Sequence, residues 1–172
     1  MTLLHNKIPY TKILTVLAVA AIMNGCSSTT DTSSQVIDDA CYAQAQHMAT
    51  AAETSGASAQ FLTVARTLPT CVLTPLPKHL SDEQSESVMQ VLAFSTLNYI
   101  KSGDIAAAKT QLADFEQQFT DQDLYLADFT SFRDTATALL QGTELTNQQL
   151  ASLNISRGLR DELQRQKYWL TH

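Results

Sequence analysis

A chain of 172 residues, 44% hydrophobic and 16% charged, is the size of one ordinary domain with some appendage. Five Gly and four Pro exclude a fibrous or low-complexity chain. A formal net charge of −6 argues against a nucleic-acid binder, which carries a basic face.

Lys7 and Lys12 precede an apolar run, Ile13 to Met23, of eleven residues. That is too short to cross a bilayer as a helix, which takes roughly 20 residues. It has the charge-then-apolar layout of a secretory signal. The sequence that closes it, Met23-Asn24-Gly25-Cys26, resembles the lipobox of bacterial lipoproteins. The resemblance implies cleavage after Gly25, so that residues 1–25 are a leader and the Cys26 sulfur and amine are acylated. Ser27, where an Asp would retain such a lipoprotein in the inner membrane, implies the outer membrane with the domain facing the periplasm. Three acyl chains hold far more firmly than the single chain that binds only marginally. Residues 27–34, small and polar, read as a flexible tether with an r.m.s. span of roughly 15 Å. Residues 35–172 form the expected domain. Loss of the leader removes two lysines and no acid, leaving nine bases against 17 acids, a balance of −8.

Cys41 and Cys71 remain. An even number of thiols in an oxidising compartment favours a disulfide, with two buried free thiols as the competing reading. Residues 35–53 read as a helix, with Ile37, Cys41, Met48 and Ala52 at helical spacing. Gly56 breaks it, and Ser58 can cap a second helix through Phe61, Leu62, Ala65 and Leu68, which Pro69 ends. Two helices on a short turn pack antiparallel, bringing Cys41 beside Cys71. Closing that loop of about 30 residues contributes on the order of 3–4 kcal/mol. No His or Cys stands at the short spacings zinc sites use, so no metal is expected.

Residues 70–79, with Pro75 and Pro77, read as an extended connector. Ser81-Asp-Glu-Gln84 has the form of a capping box, opening a helix that Gly103 stops. Ile105, Ala108, Leu112, Phe115 and Phe119 mark the next helix. Thr120-Asp-Gln-Asp123 can cap another, carrying Tyr125, Phe129, Phe132, Ala136 and Leu139 inward until Gly142. Thr146-Asn-Gln-Gln149 is a second capping box, with Leu145 and Leu150 as its hydrophobic staple. A last helix from Ser156 sets Leu159, Leu163 and Leu170 on one side. No period-two alternation is present, and the expectation is an all-α domain of five to seven helices.

The stretch Leu97 to Leu112 looks like the middle of a tetratricopeptide repeat: Tyr99 ends one helix, Gly103-Asp104 turns the corner, and a small Ala108 admits close packing. The likeness spans residues 83–119, a fifth of the chain, with no second copy at the 34-residue period. A generic helical hairpin with a Gly-Asp corner fits equally well.

Motifs for chemistry are missing. There is no His-Glu-x-x-His pair, no Gly-x-Ser-x-Gly turn and no Gly-rich phosphate loop. Asp114, Glu116, Asp121, Asp123, Asp128 and Asp134 interleave with phenylalanines and are expected on solvated faces. Near the C-terminus Arg157, Arg160, Arg165 and Lys167 accompany Tyr168 and Trp169. Three readings stay open for this segment: bases favouring the negative end of a helix dipole, docking on the chain's own acidic middle, or a partner contact, since Trp, Tyr and Arg are the types enriched in binding hot spots. No catalytic residue and no cofactor is expected. The leading expectation is a non-enzymatic lipoprotein that binds a protein of the cell envelope as adaptor or assembly factor. Small helical lipoproteins of this build include the pilotins, a likeness of architecture only. The alternative is a binder of a small ligand or cell-wall fragment in a groove between helices.

Overall fold

The computed structural model describes residues 35–171; residues 1–34, with the expected leader, Cys26 and expected tether, and His172 lie outside the described residues. Seven α-helices follow in order: α1 (Asp39–Ser55), α2 (Ser58–Thr67), α3 (Asp82–Ser102), α4 (Ile105–Gln118), α5 (Phe132–Gln141), α6 (Asn147–Ser152) and α7 (Arg157–Thr171). A 3-10 turn, Leu68–Cys71, closes α2. The domain is all-α. Among the described residues extended backbone pairs only at two isolated antiparallel bridges, Ile37 with Val72 and Tyr125 with Ser131.

The first of these bridges shortens the first helix. Asp38 stands at the cap, its carboxylate accepting from the Ala40 and Cys41 N–H groups at 3.0 Å each. Val36 and Ile37 are thereby left extended and buried, rather than on the expected first turn. Ser58 is the first residue of α2, not its cap; Ala57 holds the cap position without a side-chain bond. Both expected capping boxes form, Ser81 with Gln84 and Thr146 with Gln149.

α3 is the centre of the main core. It buries Val88, Val91, Leu92 and Ala93 and packs against α2, α4, α5 and the 3-10 turn. α1 meets α2 through small residues, Ala45, Ala49 and Ala52, which let the axes approach. Inside this core the Ser95 hydroxyl donates to the Ala65 carbonyl at 2.8 Å, satisfying a buried polar group. At the α3–α4 corner Gly103 takes φ 84°, Asp104 caps the Ala107 N–H, and Ala108 is fully buried. That corner has the geometry the Gly-Asp pattern predicts.

The reading fails between residues 120 and 131. No helix starts at Thr120; α5 begins at Phe132, capped by Ser131, whose hydroxyl oxygen accepts from the Asp134 N–H at 3.0 Å. Asp123 is the physical reason. Its carboxylate accepts from the Leu124 and Arg133 N–H groups and from the Ser131 hydroxyl, folding the segment back on itself. Tyr125 and Phe129, expected inside, are 65% and 82% exposed. Leu124 and Phe132 fill the core instead, with the Phe132 ring edge-on to Phe115 at 4.8 Å. Leu139 is also turned outward, between buried Ala138 and Leu140.

A second, smaller cluster joins Ala138, Leu150, Ile155 and Leu163, with Leu145, Leu153 and Leu159 around it. It seats α7. The α5–α6 turn fits under that helix because Gly142 lacks a side chain: a Cβ there would lie 2.7 and 2.8 Å from the Leu163 methyls.

Candidate functional site

Cys41 and Cys71 are joined as a disulfide across 30 residues, their Cα atoms 5.4 Å apart. The pair sits where the chain enters the described domain, beside backbone bonds from Asp38 N–H to the Cys71 carbonyl (2.8 Å) and from Leu73 N–H to the Val36 carbonyl (2.9 Å).

The six C-terminal residues expected at a partner contact all lie on α7, and the structure divides them. Arg160 and Lys167 turn inward as clamps, donating to the Leu153 and Leu145 carbonyls and riveting α7 to the loops beneath it. Arg157 makes only a long ion pair with Asp161, 3.9 Å, at an exposed position. Arg165 holds Glu162 through two nitrogens, with Gln166 as a further donor. Those hydrogen bonds lower the Glu162 carboxyl to about 2 and raise the Arg165 guanidinium. The ion pairs of α7 are thus internal to the helix. Docking of its bases on the chain's own acidic middle does not occur among these pairs.

Tyr168, Trp169 and Leu170 are 55%, 67% and 72% exposed. Leu170 corrects the expectation that it lies against the body. It stands seven residues after Leu163 on the same stripe, about 10 Å further along the axis, where the cluster no longer reaches. A solvent-open hollow of about 470 Å³ there is lined by Arg165, Gln166, Trp169 and Leu170 alone, so one helix supplies every wall.

The acidic residues also separate. Asp114, Glu116 and Asp121 are exposed as expected. Asp123 and Asp134 are half-buried backbone acceptors, Asp134 taking the Asn154 N–H at 2.6 Å. Asp128 is exposed, but its carboxylate accepts from the Thr130 hydroxyl at 2.6 Å and the Thr130 N–H at 3.2 Å, which lowers its pKa. These groups shape a loop.

Two grooves flank α3. One, of about 470 Å³, is lined by Leu76, Pro77, Lys78, His79, Leu80, Ser85 and residues 118–122. It brings His79 and Asp121 to one cleft, both exposed. The other, of about 360 Å³, sets Asp82, Glu86 and Gln122 around Met89, Asp123, Leu124 and Tyr125. Sequence reasoning missed this second groove, because its walls come from segments more than 30 residues apart. Among the described residues no three His, Cys, Asp or Glu gather as a metal site, and no helix is long and apolar enough to cross a membrane. Compared with protein-family models, curated proteins and solved structures, the chain matches none.

Proposed function

We propose that this protein is a non-enzymatic lipoprotein, anchored through Cys26 in the outer membrane and facing the periplasm. It acts by protein–protein contact, as adaptor or assembly factor for an envelope machine. The observation that carries this reading is the outer end of α7, where an apolar stripe continues past the body and presents Trp169 and Leu170 to solvent beside Arg165. Trp, Tyr and Arg are the residues that dominate binding energy at protein interfaces. The lipobox-like sequence at Cys26 supports the anchor. Confinement to a surface raises effective concentration, so a modest interface suffices.

The test has two parts. Cys26→Ser should move the protein from the membrane fraction to the soluble periplasm; unchanged membrane association would reject the anchor. Photo-cross-linking from position 169 in intact cells should trap a protein that an unrelated lipoprotein does not. A cross-link pattern identical to that control would reject the contact surface.

The cleft holding Lys78, His79, Gln118, Asp121 and Gln122 keeps a second reading alive, a binder of a small polar ligand or cell-wall fragment. Saturation of chemical-shift changes at these residues with soluble cell-wall fragments would favour it over the adaptor.

A further inference from the structure

The cleft between the connector after α2 and the end of α4 holds opposite charges that are not spent on each other. Lys78 and His79 come from the connector and Asp121 from the turn after α4, all three exposed. The ion pairs among the described residues are Lys101 with Glu53, Arg157 with Asp161 and Arg165 with Glu162. Neither Lys78 nor Asp121 is in any of them. Arg133, the next base along the chain from Asp121, is committed to the Phe119 and Thr120 carbonyls.

Ser85 lines the same cleft and is 6% exposed. Elsewhere in these helices Thr67, Ser87 and Thr96 turn their hydroxyls back on the carbonyl four residues earlier. Ser85 makes no such bond, and among the described residues its hydroxyl has no partner. A buried polar group in that state calls for an explanation, and a ligand atom in the cleft supplies one. The walls are set by the core beneath: Leu76 and Leu80 pack on the main cluster, and Phe119 belongs to it. At about 470 Å³ the cleft has the size of a small-molecule site.

We infer that this cleft takes a zwitterionic ligand of the amino-acid or short-peptide class. Its carboxylate faces Lys78 and His79, and its ammonium faces Asp121. One of its oxygens accepts from the Ser85 hydroxyl, and an apolar side chain rests on Leu80 and Phe119. Bonds between ionised groups are the strong ones, and a ligand with a single charge leaves one side of the cleft unmatched. This inference rests on the second reading above, of the cleft as a ligand site, and names the ligand's chemistry.

The experiment titrates the full chain, purified from the cells that express it, with alanyl-leucine and with its N-acetyl and C-amide forms. Calorimetry reads the affinity, and amide shifts at residues 78–85 and 118–122 locate the site. The free dipeptide should bind about tenfold more tightly than either blocked form, the effect of losing one charge-assisted bond. Asp121→Asn should abolish the preference over the N-acetyl form, and Lys78→Gln the preference over the amide. Both positions are exposed, so neither variant endangers folding. Ser85→Ala, which leaves both charges in place, should weaken the free dipeptide several-fold. Tighter binding of the D,D dipeptide would mark a cell-wall source, and of the L,L form a protein-derived one; either supports the zwitterion. No dipeptide binding, equal binding of free and blocked forms, or a preference that neither charge variant removes overturns it. If a neutral disaccharide of N-acetylglucosamine then shifts the same amides, the cleft stands as a ligand site of another class; if it does not, both readings fall.

Discussion

Phe129 combines two unfavourable features at one position. It is the one non-glycine residue with positive φ among the described residues, 62°, and its ring is 82% exposed. The turn around it is nonetheless tightly bonded: Phe129 N–H donates to the Leu126 carbonyl at 2.8 Å, and the Asn154 side chain donates to the Phe129 carbonyl at 3.1 Å. Left-handed backbone costs an ordinary residue roughly 1–2 kcal/mol, so Phe129→Gly should leave the protein as stable or about 1 kcal/mol more stable in urea titration. A clear loss of stability would show that the ring has a folded-state role. Gly142 is the opposite case. An added Cβ meets the Ala138 carbonyl at 2.3 Å, a backbone atom that cannot yield cheaply, as well as the Leu163 methyls. Gly142→Ala should cost about 1–3 kcal/mol, read as a fall in melting temperature with α7 released first. A melting temperature equal to that of the parent would contradict this close approach.

At the scale of elements, what the sequence discloses depends on how local the determinant is. The two capping boxes and the Gly103-Asp104 corner are visible because every bond in them spans three or four residues. The start of α5 is hidden because Asp123 reaches eight residues on to Ser131 and ten to Arg133, and no periodicity reports that. Likewise, Leu139 and Leu140 are equivalent in composition, and only the position of the main core, which takes in Leu140, decides which turns inward. At the site, the bases of α7 are legible as a group. Which of them clamp the helix and which face outward depends on the Leu145 and Leu153 carbonyls.

Two predictions belong to this scale. Replacing both Cys41 and Cys71 by Ser should lower stability by about 3–4 kcal/mol while leaving the helical circular dichroism unchanged; an unaltered denaturation midpoint would remove the bridge from the ledger of stabilising features. The second concerns pH. The folded-state value of Glu162 lies below the ordinary 4.5, at about 2, so its attraction to Arg165 is fully present above the ordinary value and is lost as pH falls toward 2. A carbon-detected NMR titration should place its midpoint near 2, and Arg165→Ala should return it toward the ordinary carboxylate range.

The whole described domain has uneven cohesion. The main cluster draws on α1 to α5, whereas α7 rests on four buried residues and their few neighbours. Amide exchange in α7 should therefore outpace that of central α3 by orders of magnitude, through local opening that leaves the main core intact. Equal protection would mean a single cooperative unit. The start of the described chain is held differently, by backbone pairing and a covalent link. A pull applied at Gln35 first meets the paired backbones of 36–38 and 71–73, and can strip only the six residues before Cys41, about 20 Å of chain. Beyond that point the covalent link hands the tension to Cys71, at the junction of α2 and the connector, so α1 is bypassed rather than unwound. The bridge thus works as a strain relief, like the clamp on a cable where it enters its housing.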